Sequence, residues 1–143
     1  MISTIGRGSY SFVYKVKHRT RGNFAALKVI DKKQLKTKKG LSRLKREISV
    51  HSMLSHRNIV KLYKHFQDQS NYYLLMEFCE GEDLYRRLGR VKERRLSVNM
   101  VKFYGFQLAQ GVEYLHCVKK VIHHDLKLGN IFVDSSKILV SFH

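Results

Sequence analysis

The stretch His123-His124-Asp125-Leu126-Lys127-Leu128-Gly129-Asn130 sets a carboxylate, an ammonium and a side-chain amide at offsets of zero, two and five. Those three groups suit phosphoryl transfer. An Asp orients an attacking hydroxyl and accepts its proton, a Lys neutralises charge on a migrating phosphoryl group, and an Asn helps to hold Mg²⁺. A polar turn between a helix and a strand is the plainer reading of the same residues.

The elements around this stretch decide between the two. Gly6-Arg7-Gly8-Ser9-Tyr10-Ser11-Phe12-Val13 lies between an apolar run at 2–5 and a β-rich run at 12–16. Its glycines therefore belong to a hairpin and do not precede a helix, which disfavours a dinucleotide fold and suits a loop laid over phosphates. Phe24-Ala25-Ala26-Leu27-Lys28-Val29-Ile30 is a strand-length apolar run with one charge inside it. A Lys there is costly unless it is paired, or unless it lies on an edge strand and snorkels to water. Leu41, Leu44 and Ile48, with Val50 and Leu54 alongside, recur at helical spacing. Two strand-like runs at 60–66 and 72–78 are joined by the turn-forming Asp68-Gln69-Ser70-Asn71. Residues 96–116 read as a long helix, with Ser97 as N-cap and Val101, Tyr104, Leu108, Val112 and Leu115 as its apolar stripe. Gly105 and Gly111 weaken it by about 1 kcal/mol each relative to Ala. Ile131-Phe132-Val133, Asp134-Ser135-Ser136 and Ile138-Leu139-Val140 read as a small hairpin.

Taken together, these stretches resemble the protein kinases, and residues 123–130 are similar to their catalytic loop His-Arg-Asp-Leu-Lys-x-x-Asn, with His124 where Arg is usual. Glu47-Ile48-Ser49-Val50-His51, Ile122-His123 and Leu126 to Asn130 bring the likeness nearest to the polo-like group of serine/threonine kinases. The resemblance implies an α+β fold: a five-stranded N-lobe with one helix (1–78), a hinge (79–83) and the first part of a C-lobe (84–143). It implies that Asp125 is the base, that Lys127 stabilises charge, and that Lys28, paired with Glu47, holds the α- and β-phosphates of ATP. In Met76-Glu77-Phe78-Cys79-Glu80-Gly81-Glu82-Asp83-Leu84, the Glu77 carbonyl and the Cys79 backbone would meet the adenine edge and Asp83 the ribose. Gly6, Gly8, Val13, Ala26 and Phe132 would complete the nucleotide site, and Asn130 would be a Mg²⁺ ligand. The implied reaction is transfer of the ATP γ-phosphoryl group to a Ser or Thr hydroxyl of a protein substrate.

Two departures from the family pattern stand out, the first bearing on nucleotide affinity and the second on catalysis. Ser11 replaces the family's third loop glycine, and Ser141-Phe142-His143 stands where Asp-Phe-Gly supplies the main Mg²⁺ ligand. A neutral hydroxyl is a poor substitute for a carboxylate on a hard cation. The resemblance covers essentially the whole chain, which corresponds to about the first half of a catalytic domain. The alternative expectation is thus an inactive pseudokinase fragment acting as a nucleotide- or partner-binding module.

Composition narrows the setting. No run approaches the ~18 apolar residues of a membrane span, and Cys79 and Cys117, far apart, read as reduced thiols of a cytoplasmic or nuclear protein. The formal net charge is +17, with eight Lys or Arg and no acid between Lys32 and Arg46. Six more basic residues against Glu93 occupy 86–95. Such runs attract polyanions or merely form a solvated face, and neither has interleaved aromatics to favour nucleic acid. His116, Cys117, His123, His124 and Asp125 match none of the common zinc spacings.

Overall fold

The computed structural model describes residues 3–8, 11–35, 37–91, 93, 95–134 and 137–141. Of the residues singled out above, Ile2, Ser9, Tyr10, Ser135, Ser136, Phe142 and His143 lie outside the described residues. The chain divides into two compact units, Met1–Leu54 with Lys61–Phe78, and Ser55–Val60 with Cys79–His143.

In the first unit β1 (Ser3–Arg7), β2 (Ser11–Lys17), β3 (Phe24–Asp31), β4 (Leu62–Gln67) and β5 (Asn71–Glu77) form one antiparallel sheet in the order β1-β2-β3-β5-β4. The one α-helix among its described residues, α1 (Lys38–Ser52), lies against β4. Thr37 caps α1, its hydroxyl accepting from the Gly40 N–H at 3.0 Å, and the helix buries Leu44, Ile48 and His51. Strand alternation and register sort the sheet residues into two faces. One face carries the buried Ala26, Ile30, Leu62, Leu74 and Met76. The β4–β5 turn is closed by Asp68, whose Oδ1 accepts from the N–H groups of Ser70 and Asn71. Tyr73 donates to its other oxygen, and these bonds, the Tyr73 bond first, hold the carboxyl below its ordinary pKa.

The second unit contains β6 (Glu82–Asp83), α2 (Leu84–Arg90), α3 (Val98–Glu113) with a π-helical turn at Tyr114–Val118, β7 (Ile131–Val133) and β8 (Ile138–Val140). The strands form a sheet in the order β6-β7-β8, so the expected small hairpin exists and gains a third strand. At Gly81, just before β6, the chain passes so close to β7 that a β-carbon would lie 1.6 Å from the Val133 carbonyl oxygen, so only glycine fits.

Helix α3 starts at the expected cap, with the Ser97 hydroxyl accepting from the Met100 N–H. Its stripe differs from the expectation, because Val101 is 54% exposed while Gln107 and Gly111 are buried. The reason is a polar clasp. Gln107 Oε1 accepts from Asn58 Nδ2 at 2.8 Å and from the Ile138 N–H at 3.1 Å, and Asn58 Nδ2 also donates to the Ile138 carbonyl. Each buried bond is worth about 1 kcal/mol when made and costs more when broken on one side. Bonds from the Val60 N–H to the Val140 carbonyl and from the Val140 N–H to the Asn58 carbonyl extend the clasp. Gly111 permits this approach, since a β-carbon there would meet Ile59 at 3.3 Å.

Candidate active-site residues

Within the second unit the 123–130 stretch forms one hydrogen-bonded cluster. Lys127 Nζ lies 3.0 and 2.8 Å from the two carboxylate oxygens of Asp125. Asn130 Nδ2 donates to the Asp125 carboxylate and to its main-chain carbonyl, both at 2.8 Å. A short 3₁₀ turn at Leu128–Asn130 makes this reach possible by folding the amide back over the loop. His124 takes a left-handed φ of 65°, which reverses the chain immediately before Asp125.

His123 braces the loop from beneath. The Asp125 N–H donates to His123 Nδ1 at 3.2 Å, so the ring's proton resides on Nε2, which donates to the Ser141 carbonyl at 2.7 Å. Burial lowers the His123 pKa, outweighing the opposing influences of the Ser141 carbonyl bond and the Asp125 charge. The neutral ring is the form that holds both bonds. Ser141 is buried, and its N–H donates to the Asn130 carbonyl at 2.9 Å, so its main chain is fastened to both ends of the cluster.

Within the first unit the register pairs Val13 with both Gly6 and Lys28, and Lys15 with Ala26. Gly6, Val13, Ala26 and Lys28 therefore share one face of the sheet. Strand β3 is paired on both sides, which removes the edge-strand explanation for Lys28. Desolvation lowers the Lys28 pKa, and the charge of Glu47 on α1 acts to raise it. Gly8 closes the hairpin through its N–H to the Ser11 carbonyl at 2.8 Å. A β-carbon at Gly8 would stand 2.8 Å from the Ser11 hydroxyl, so a larger residue at position 8 would require that hydroxyl to rotate away.

Of the remaining expected residues, Glu77 ends β5, its carboxylate accepting from the Lys61 N–H, and Cys79 is half-buried. Asp83 lies opposite Phe132 in the β6–β7 register. Its carboxylate is engaged as the N-cap of α2, accepting from the Arg86 N–H at 2.9 Å and pairing with the Arg86 guanidinium at 3.3 Å. Sequence reasoning assigned no role to Asn58, Gln107 or Gly81; only Gly81, in a Glu-Gly-Glu step before a strand, carried a local signal.

A profile of the protein kinase domain matches residues 1–140. The chain belongs to the protein kinase domain family. An Aurora kinase of Schizosaccharomyces pombe is 40% identical over 90% of this kinase domain chain and 36% of its own length. The serine/threonine-protein kinase plk-2 of Caenorhabditis elegans is 35% identical over 91% of the chain and 20% of its own length. The cell cycle serine/threonine-protein kinase CDC5/MSD2 of Saccharomyces cerevisiae is 38% identical over 92% of the chain and 18% of its own length. The chain thus spans little more than a third, or less, of these relatives. Both Aurora and polo-like kinases are among them, in line with a serine/threonine-type domain.

The kinase family uses ATP with Mg²⁺. For the nucleotide the residues fit, since a desolvated ammonium on a face with the small Ala26 and Gly6 suits a phosphate-bearing ligand. For Mg²⁺ they do not. Asn130, whose amide nitrogen is bonded to Asp125, offers a neutral amide oxygen, and position 141 a neutral hydroxyl, so the expected carboxylate ligand is missing. No three His, Cys, Asp or Glu side chains among the described residues are grouped to hold a metal. No described helix is long and apolar enough to cross a membrane.

Proposed function

We propose that this chain binds ATP and is built for transfer of its γ-phosphoryl group to a Ser or Thr hydroxyl of a protein substrate, in a form weakened by Ser141. The cluster of Asp125, Lys127 and Asn130 supports the reading most directly. Asp125 accepts the proton of the attacking hydroxyl, and Asn130 fixes the carboxylate's direction. Lys127 moves from a carboxylate to the arriving phosphoryl oxygens, offsetting their charge. Lys28, poised by Glu47, holds the α- and β-phosphates, and Gly6, Gly8, Val13, Ala26, Asp83 and Phe132 are the further nucleotide-binding candidates. Glu77 and Cys79 contribute main-chain groups, and residues 79–83 form the hinge. The reduced thiols suit a cytoplasmic or nuclear setting.

Calorimetric ATP titration of the chain with and without Mg²⁺ tests this. Lys28→Met abolishes binding, Mg²⁺ strengthens it little in the parent, and Ser141→Asp makes it metal-dependent. Equal binding by parent and Lys28→Met would reject the nucleotide site. γ-Phosphate transfer to a generic protein substrate, compared between the parent and Asp125→Asn, tests the base: any transfer that survives the change assigns it elsewhere. A polyanionic partner is also proposed, since Lys38, Lys39, Arg43, Lys45 and Arg46 are exposed on α1 while its one acid, Glu47, acts on Lys28.

A further inference from the structure

The sequence interleaves no aromatics with its basic runs, but the fold assembles aromatics on a surface of their own. On the sheet face opposite the buried residues, register places Arg7, Phe12, Val29, Tyr73 and Phe66 in one row across all five strands. Tyr14, Leu27, Leu75 and Lys64 form the next row. Phe12 is 42% exposed and Phe66 46%. Phe66 stacks on Tyr73 with centroids 4.9 Å apart and planes 14° from parallel, and Phe12 lies 6.4 Å from Tyr14. Two aromatic stations are thus separated by β3, about 10 Å apart at the usual strand spacing. Arg7, on the β1 edge, stands 5.4 Å from the Phe12 ring, and the exposed Lys64 lies on the β4 edge.

We infer that this face is a platform for single-stranded nucleic acid, which narrows the polyanion association proposed above. Every nucleotide brings both a π-face and a phosphate, and this surface offers rings in its middle and cations at its margins. The bases of a duplex are stacked away from such a flat face, so the single strand is the form that fits. The unit as a whole carries sixteen Lys or Arg against four Asp or Glu, a formal charge of +12. Its acids near this face are engaged by main-chain N–H groups: Asp31 by Lys33, Asp68 by Ser70 and Asn71, and Glu77 by Lys61. An acidic protein would use the charge but not the rings, and an apolar protein the rings but not the charge.

The test is anisotropy of a labelled mixed-sequence oligonucleotide of about 15 nucleotides, within the span of one small binding surface, with heparin as a polyanion lacking bases. Phe12→Ala together with Phe66→Ala should weaken oligonucleotide binding about tenfold or more and leave heparin binding unchanged. Phe12→Leu with Phe66→Leu keeps apolar volume but removes the rings, and should lose binding similarly with an unaltered circular dichroism spectrum. Lys39→Gln with Arg43→Gln on α1 should weaken both polymers modestly and flatten the salt dependence. Oligonucleotide binding unaffected by the ring changes would overturn the platform while leaving the polyanion reading standing. Binding of neither polymer at low salt would overturn both. Self-association abolished by the ring changes, without oligonucleotide binding, would show the face to be a contact between copies.

Discussion

Asp125 and Lys28 are charged side chains held in opposite ways. The Asp125 side chain is 47% exposed and is gripped by Lys127 and Asn130, neighbours within the same loop. Lys28 sits desolvated in a central strand, and its counter-charge, Glu47, arrives on a helix. Around Asp125 water carries much of the electrostatic load, so its bonds set direction and contribute little to stability. At the half-buried Lys28 the protein has replaced much of the water, so the counter-charge weighs on whether the ammonium is tolerated.

The largest expected effect tests the buried side of this contrast. Glu47→Gln should cost about 2 kcal/mol in urea unfolding, less than for a fully buried pair because both side chains are half-buried; a loss below about 1 kcal/mol would mean that solvent already screens Lys28. Acidification comes next. His123 and His56 both have lowered pKa values, chiefly from burial, with Arg57 adding to the effect at His56. Below pH 6.5 the unfolded chain therefore binds more protons than the folded one. Stability should fall as pH drops through that point toward the lower folded-state values, by at most about 1.4 kcal/mol per pH unit for each ring. His123→Gln should flatten the slope, and an unchanged slope would place the titration elsewhere.

Lys28→Met should leave stability within about 1 kcal/mol of the parent or raise it, because an apolar side chain of similar length needs no counter-charge. A large loss would show the ion pair to be a net stabiliser and weaken the contrast. The smallest effect belongs to the exposed partner: Asp125→Asn should change stability by less than about 1 kcal/mol, measured in the same urea titration. A larger loss would make the loop's bonds structural as well as directional.

The sequence showed these two centres unequally. Asp125, Lys127 and Asn130 are close along the chain, so their meeting needed only a tight loop. Lys28 announced itself as a charge in an apolar run, but its central strand position depends on β5 pairing beside β3, which alternation alone does not specify. The five strands and α1 were readable from periodicity. Helix α2 was not, because Leu84–Arg90 offers three apolar side chains among arginines and reads as a charge run. The burial of Gln107 was also hidden: an amide interrupts an apolar stripe, and its partners, Asn58 and Ile138, come from distant segments. The aromatic face likewise arises by register from three separate strands, β2, β4 and β5, and leaves no linear motif.

The anchoring of residue 141 separates what its main chain does from what its side chain does. Its contacts to His123 and Asn130 are made by its own main-chain carbonyl and N–H, so they do not depend on which side chain the residue carries. Those two bonds would persist whether a hydroxyl or a carboxylate stood at position 141. Main-chain anchoring therefore holds this position in place whichever residue occupies it, while the buried surroundings of the side chain still set what a carboxylate there would cost.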